Sequence, residues 1–300
     1  MSKLKSFERI TQAAVDGDPF AQFHVALSLE YGDYGEQNPE KAAEWYAKAA
    51  EQGHCAAEDN LLLLYVSGHG GGMQADEVFA RLRDRAQSGD SSSQTNLGLC
   101  YQFGYGVTQD YKQAAVWFRR AAKAGLAMAQ FNLGGLYYEG KGVKKNLKRA
   151  LEWYTLAAEQ REELALLKLG YMYQKGIGVE MNFSRAAVLY LIAYNRGSAR
   201  AANHLAFLFK KGLGVERDDA LAYELYLESV NNPDTPSVKP EPSYPGSAYY
   251  WLGYMAENGE GIPRDLHVAR RWYRRGADLE ISACVKALER LAASKRCRTR

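Results

Sequence analysis

Cysteine is scarce, with only Cys55, Cys100, Cys284 and Cys297 in 300 residues, at spacings that form no pairs. That scarcity excludes a disulfide framework and a C-x-x-C zinc site, and it fits a reducing compartment. The five histidines are scattered, and no two stand at the spacing of a helical or knuckle metal site. No run of 18 or more apolar residues is present, so no segment reads as a membrane-spanning helix. The opening MSKLKSFERITQAAVDGD has no apolar core and no small-residue cleavage site, so it does not read as a signal peptide. A cytoplasmic location is the expectation.

Net charge is small, +3, but unevenly spread. Residues 1–100 carry 8 basic and 15 acidic side chains, a net of −7; residues 101–200 carry 15 and 7, a net of +8; the last hundred carry 15 and 13. A basic middle third favours an acidic partner. Its cluster Lys141, Lys144, Lys145, Lys148 and Arg149 sits on one turn and one helix start with no accompanying nucleic-acid motif, so nucleic acid is not expected.

What the chain has in abundance is itself. AQFNLGGLYYEG (129–140) is echoed by AQFHVALSLEYG from Ala21, AEDNLLLLYVSG from Ala57, SQTNLGLCYQFG from Ser93, ALLKLGYMYQKG from Ala165 and AANHLAFLFKKG from Ala201, each start 36 residues after the last. A seventh copy, AYYWLGYMAENG, begins at Ala248, displaced by 11 extra residues within the proline-rich stretch 231–247, which holds five of the eight prolines. Leu133, Leu136 and Tyr137 have the i, i+3, i+4 spacing of a helix, and the residue after Leu133 is small in most copies (Ala26, Gly98, Gly134, Gly170, Ala206, Gly253). A mid-helix glycine costs about 1 kcal/mol against alanine, so its recurrence implies a neighbouring helix packed close. Leu62 breaks the rule in repeat two.

A second helix follows in each repeat. Asn38, Asp110, Asn146, Asn182, Asp218 and Asp265 share one register, with Gln74 in repeat two, and suit the cap of a helix whose first N–H groups lack partners. Trp45, Trp117, Trp153 and Trp272 share another, three residues beyond a register of alanines; Arg81 takes that place in repeat two. Alternation of small and large residues suits helices packed ridge into groove.

Between the helices stands Gly-x-Gly: Gly104 and Gly106, Gly140 and Gly142, Gly176 and Gly178, Gly212 and Gly214, Gly259 and Gly261. A phosphate-binding loop is a single feature after a strand. This one recurs between helices, so its glycines are expected to end the first helix in a left-handed conformation and reverse the chain.

The pattern A-x-x-x-L-G-x-x-Y, G-x-G-V, a capping Asp or Asn, A-x-x-W-Y and A-A-x-x-G at 36-residue spacing resembles the Sel-1-like repeat family, relatives of tetratricopeptide repeats. The resemblance implies an all-α fold, an α/α superhelical solenoid of about seven two-helix repeats with half-repeat caps. The layout is then a capping helix over 1–20, six repeats over 21–230, the insert 231–247, a seventh repeat over 248–283, and a capping helix with a basic tail over 284–300. It also implies a non-enzymatic adaptor or scaffold, most often bacterial, that binds a protein or peptide; from the residue patterns above, no cofactor, metal, nucleic acid or membrane is expected. In such solenoids the first helices line the concave surface. There the register Asn60, Asn96, Asn132, Lys168 and His204, with His24 and Trp251 at its ends, would form a ladder able to hold an extended backbone. Tyr171, Phe207 and Tyr254 (with Leu99), three residues on, would supply apolar pockets beside it.

Two alternatives compete: an immunity protein that sequesters a toxic enzyme, and a hydrolase. His69-Gly70-Gly71-Gly72 is similar to the oxyanion-hole segment of lipases, but the sequence has no G-x-S-x-G to supply the nucleophile. Cys100 shares the register of Leu136 and Met172 and reads as a core residue.

Overall fold

The computed structural model describes residues 2–33, 36–66, 69, 75–231 and 247–298. Its described residues form sixteen helices and no strand, and they pack as two compact bodies, divided between Asn146 and Leu147. The N-terminal body holds α1 (Ser2–Val15), α2 (Pro19–Tyr31), α3 (Pro39–Glu51), α4 (Cys55–Val66), α5 (Ala75–Gln87), α6 (Ser91–Phe103), α7 (Tyr111–Lys123) and α8 (Ala127–Glu139). The C-terminal body holds α9 (Leu147–Glu159), α10 (Glu163–Lys175), α11 (Phe183–Tyr194), α12 (Ala199–Lys211), α13 (Asp219–Asn231), α14 (Ala248–Asn258), α15 (Leu266–Asp278) and α16 (Ser282–Arg298). Within each body consecutive helices pack on one another, as in helical hairpins of the α/α solenoid class, except that α4 packs on α3 and only touches α5 and α6. Of the proline-rich insert 231–247, residues 232–246 lie outside the described residues, as do Gln74 and the glycines at 70–72.

The expected punctuation is in place. Asn38, Asp110, Asn182, Asp218 and Asp265 each accept a backbone N–H in the first turn of α3, α7, α11, α13 and α15. The first glycine of each pair closes the preceding helix in the left-handed region, as at Gly140 (φ +80°), whose N–H and that of Lys141 both bond the Leu136 carbonyl. Those amides are spent within the helix end, where a phosphate cradle would need them free. The second glycine has a different task. A Cβ on Gly142 would sit 2.1 Å from the Tyr111 carbonyl oxygen, one on Gly214 2.4 Å from Ser184 N, and one on Gly261 2.2 Å from the Asp219 oxygen. These three turns therefore lie backbone against backbone on the first residues of the previous repeat's second helix, and Gly178 meets the Leu147 Cβ in the same place.

The small mid-helix register also has its reason. An added Cβ on Gly98, Gly170 or Gly253 would come within about 2.6 Å of the ring of Phe118, Tyr190 or Tyr273, twenty residues on. The fully buried rings of this sequence register are Tyr46, Phe118, Tyr154, Tyr190, Tyr226 and Tyr273, rather than the tryptophans. Trp117 and Trp272 are buried, whereas Trp45 and Trp153 are half-buried.

Repeat two, the irregular one by sequence, is also irregular in packing: α4 and α5 meet far less closely than the paired helices of repeats one, three, five, six and seven. Leu62 stands where other repeats have glycine or alanine, and Leu82 where they have the large ring; both are buried in one cluster. In repeats one, three and four, Gln22, Gln94 and Gln130 donate to the Ala14, Ala86 and Ala122 carbonyls in the preceding last turn. At that register repeat two has Glu58, which has no N–H to give. Arg81, in the tryptophan position, donates instead to the Ala50 carbonyl at 2.8 Å and lies 3.8 Å from Glu58, which also pairs with Arg85.

Two single helices pack outside the hairpins: α1 buries Ala14 with Ile10 and Ala13 against α2, and α16 buries Cys284, Ala287 and Leu291. Repeat seven joins repeat six through Lys210, only 5% exposed, whose ammonium reaches Glu260 at 2.6 Å and Asp219 at 3.2 Å.

Candidate functional site

The eight residues expected on the ladder fall three in the N-terminal body and five in the C-terminal one. Asn60 is half-buried on α4 and its amide donates to the Tyr46 hydroxyl at 3.0 Å. Asn96 is buried on α6 and donates to the Asp59 carboxylate. Burial pushes the Asp59 carboxyl above its usual range, against the pull of Arg85 and Asn96. Both amides thus join α4 to a neighbouring helix. Asn132 is half-buried on α8.

In the C-terminal body the register changes chemistry. Lys168, Tyr171 and Lys175 stand on α10; His204, Phe207 and Lys211 on α12; Trp251, Tyr254 and Asn258 on α14. Of these nine, three are lysines, four are aromatic and none is acidic. His204 is buried with its ring stacked on Tyr190, centroids 4.4 Å apart and planes at 9°. Burial, with Lys175 adding to it, pushes its pKa down to about 3, so the imidazole is neutral and packs as an aromatic ring.

Trp251 is the centre of the aromatic group. Tyr226 lies parallel to it at 6.4 Å, Phe207 tilts towards it at 6.4 Å, and Tyr254 meets it edge-on at 5.6 Å. The Lys211 ammonium sits 4.9 Å from its ring centroid, a cation–π distance. Tyr171, Phe207, Trp251 and Tyr254 are half-buried; Lys175 and Lys211 are exposed. This arrangement offers aromatic faces and positive charge together, with a half-buried lysine, Lys168, at one end. The sequence reading missed Lys175 and Lys211; both stand one turn beyond the pocket register, and counting four residues on from Tyr171 and Phe207 finds them.

Among the described residues no three histidine, cysteine or carboxylate side chains converge as metal ligands, and no helix is long and apolar enough to cross a membrane. Cys100 and Cys284 are buried, with thiol pKa values pushed up to about 12 by desolvation.

The Sel1 repeat model matches residues 19–54, 91–126, 127–161, 164–198, 199–234 and 246–280. The chain belongs to the Sel1 repeat family. The stretch the model passes over, 55–90, is the repeat in which glutamine, tryptophan and the large ring are exchanged for Glu58, Arg81 and Leu82. A protective antigen of uropathogenic Escherichia coli with an SLR fold is similar at 32% identity and a TM-score of 0.66, over 93% of this chain and 57% of that one. A Sel1 repeat protein from Oxalobacter formigenes is similar at 26% identity and a TM-score of 0.65, over 96% of this chain and 80% of the other. Immunity protein Pa5087 of Pseudomonas aeruginosa shares the fold at 24% identity and a TM-score of 0.52, over 76% of this chain and 89% of that one. No curated protein matches the sequence.

Proposed function

We propose that this Sel1 repeat protein is a non-enzymatic adaptor that holds an acidic, extended segment of a partner protein on the α10, α12 and α14 register. The observation that carries the reading is the run of Lys168, Lys175 and Lys211 interleaved with Tyr171, Phe207, Trp251 and Tyr254, with no carboxylate at the nine positions. Lysines attract the segment and aromatic faces give its side chains apolar contact. Asn60 and Asn96 tie helices of the N-terminal body together, and Asn132 is its candidate backbone contact. The free thiols of Cys55, Cys100 and Cys284 support a cytoplasmic setting, and the bacterial origin of the solved relatives supports a bacterial one.

The test is affinity purification from the native host with wild type and with Lys168→Ala/Lys175→Ala/Lys211→Ala, read by mass spectrometry. A partner recovered with wild type and lost with the folded variant is expected. The same partner recovered with both would refute the assignment. Sequestration of a toxic enzyme is the second reading; Pa5087 supports it by fold alone. A nuclease, lipase or other toxin as the recovered partner, inhibited on binding, would favour it over an adaptor.

A further inference from the structure

The second helices carry a different feature on their exposed side. On α11, Ala186, Ala187, Tyr190 and Ala193 face the core. Val188, Leu191 and Ile192, at i, i+3 and i+4, face outward with 57%, 47% and 37% of their surfaces exposed. A row of this kind normally belongs to a buried face. In the other repeats the same three positions hold Glu44, Ala47 and Lys48; Ala80, Arg83 and Asp84; Val116, Arg119 and Arg120; Glu152, Thr155 and Leu156; Glu224, Leu227 and Glu228; and Arg271, Arg274 and Arg275. Every other set contains a polar residue, and only repeat five is apolar at all three.

Its neighbours define the rim. On α9 the register gives exposed Glu152 beside Val188, and Leu156, itself exposed, beside Ile192. On α13 it gives exposed Glu224 and Glu228. The Tyr194 hydroxyl donates to the Glu228 carboxylate at 2.6 Å, which shows that α11 and α13 meet on this side. By register the stripe has Glu152 on its α9 side and Glu224 and Glu228 on its α13 side, while the basic residues Lys148, Arg149 and Arg185 stand in the first turns of α9 and α11 and Arg196 just beyond the end of α11.

We infer that the outer face of α11 docks an amphipathic helix of a partner protein whose apolar stripe is flanked by lysine or arginine. Three exposed apolar residues over little more than one turn, extended by Leu156, match the anchors of a single helix. They fall well short of the ~800 Å² per partner of a typical stable interface, so the stripe alone does not support a dimer. A second copy would also set Glu152, Glu224 and Glu228 against their own kind, and the same carboxylates repel an anionic lipid surface. The inference is independent of the proposed function, which lies on the other helices of each hairpin.

The experiment uses the full chain and two fluorescein-labelled 18-residue peptides, each with leucine at i, i+3, i+4 and i+7, one with lysine on both flanks and one with glutamate. Fluorescence anisotropy is read for wild type, for Val188→Glu/Leu191→Arg, which installs side chains other repeats carry there, and for Tyr254→Ala. Binding of the lysine peptide to wild type and Tyr254→Ala alike is expected. It should weaken at least tenfold in Val188→Glu/Leu191→Arg and fall as salt is raised. Equal binding of the two peptides by Tyr254→Ala, equal binding of the lysine peptide by wild type and the double variant, or no binding of the lysine peptide would each overturn the inference. Sedimentation showing a wild-type dimer that the double variant abolishes would give the face to a second copy and overturn it likewise. Circular dichroism of the double variant matching wild type confirms that the loss is not unfolding.

Discussion

Three substitutions in one register should shift stability in three different ways. In repeats one, five and seven the buried tyrosine hydroxyl donates to a side chain sixteen residues earlier: Tyr46 to Glu30 at 2.6 Å, Tyr190 to Gln174 at 2.9 Å and Tyr273 to Glu257 at 2.9 Å. Repeat three has Phe118, and the acceptor in its register, the Gln102 side-chain oxygen, is buried without a hydrogen-bond partner. Phe118→Tyr brings the donor to a waiting acceptor. A net hydrogen bond is worth roughly 0.5–1.5 kcal/mol, so a gain of about 1 kcal/mol is expected. Tyr190→Phe does the reverse: it keeps the ring on Gly170 but strands Gln174, which is only 3% exposed, and should cost about 1–3 kcal/mol. Repeat six is the third case. There Lys210 occupies the acceptor register and turns to Glu260 and Asp219, leaving the Tyr226 hydroxyl buried and unpartnered. Tyr226→Phe should be neutral or stabilising. Urea unfolding of the three variants, followed by circular dichroism at matched slopes, reads all three free energies. Phe118→Tyr and Tyr190→Phe shifting stability in the same direction would refute the register reasoning, as would a loss of more than about 1 kcal/mol in Tyr226→Phe.

Truncation of tryptophan should track burial rather than register. Trp272→Ala, at 3% exposure, should cost about 3–5 kcal/mol, and Trp153→Ala, half-buried, distinctly less; the opposite order in thermal melts would contradict the packing described. His204 makes stability depend on pH in a defined direction. Its folded pKa, about 3, lies below the unfolded value near 6.5, so the unfolded chain takes up the proton first. Its contribution is complete above pH 6.5 and is lost as pH falls towards 3, amounting to about 2 kcal/mol by pH 5. His204→Phe keeps a ring against Tyr190 and should remove that loss; identical falls in stability between pH 7 and pH 5 for wild type and variant would refute it.

The period, the caps and the chain reversals were legible because each is local: a helix end needs its own cap and its own left-handed residue within a few positions. The small register implied a close neighbour, but not which one. That partner, Phe118 for Gly98 or Tyr190 for Gly170, lies twenty residues away on the returning helix, and it was found only when the hairpin was closed. A trace of it was present in the sequence, since Leu62 and Leu82 depart together from the same two registers. The asparagines were harder. An amide looks the same in sequence whether it faces a ligand or a neighbour, and Asn60 and Asn96 face Tyr46 and Asp59. The replacement of a glutamine amide by the Arg81 guanidinium at the Ala50 carbonyl joins residues 31 apart and leaves no local mark.

At Gly142, Gly214 and Gly261 the second glycine of the turn rests the joint between consecutive repeats mainly on main-chain atoms. Such a joint is indifferent to what either repeat displays. A repeat can therefore be duplicated, exchanged for another or redecorated on either surface without renegotiating its fit at that point. In this respect the chain behaves like masonry with a standard course height, in which a single block can be faced differently from all the rest, as repeat five is on its outer side.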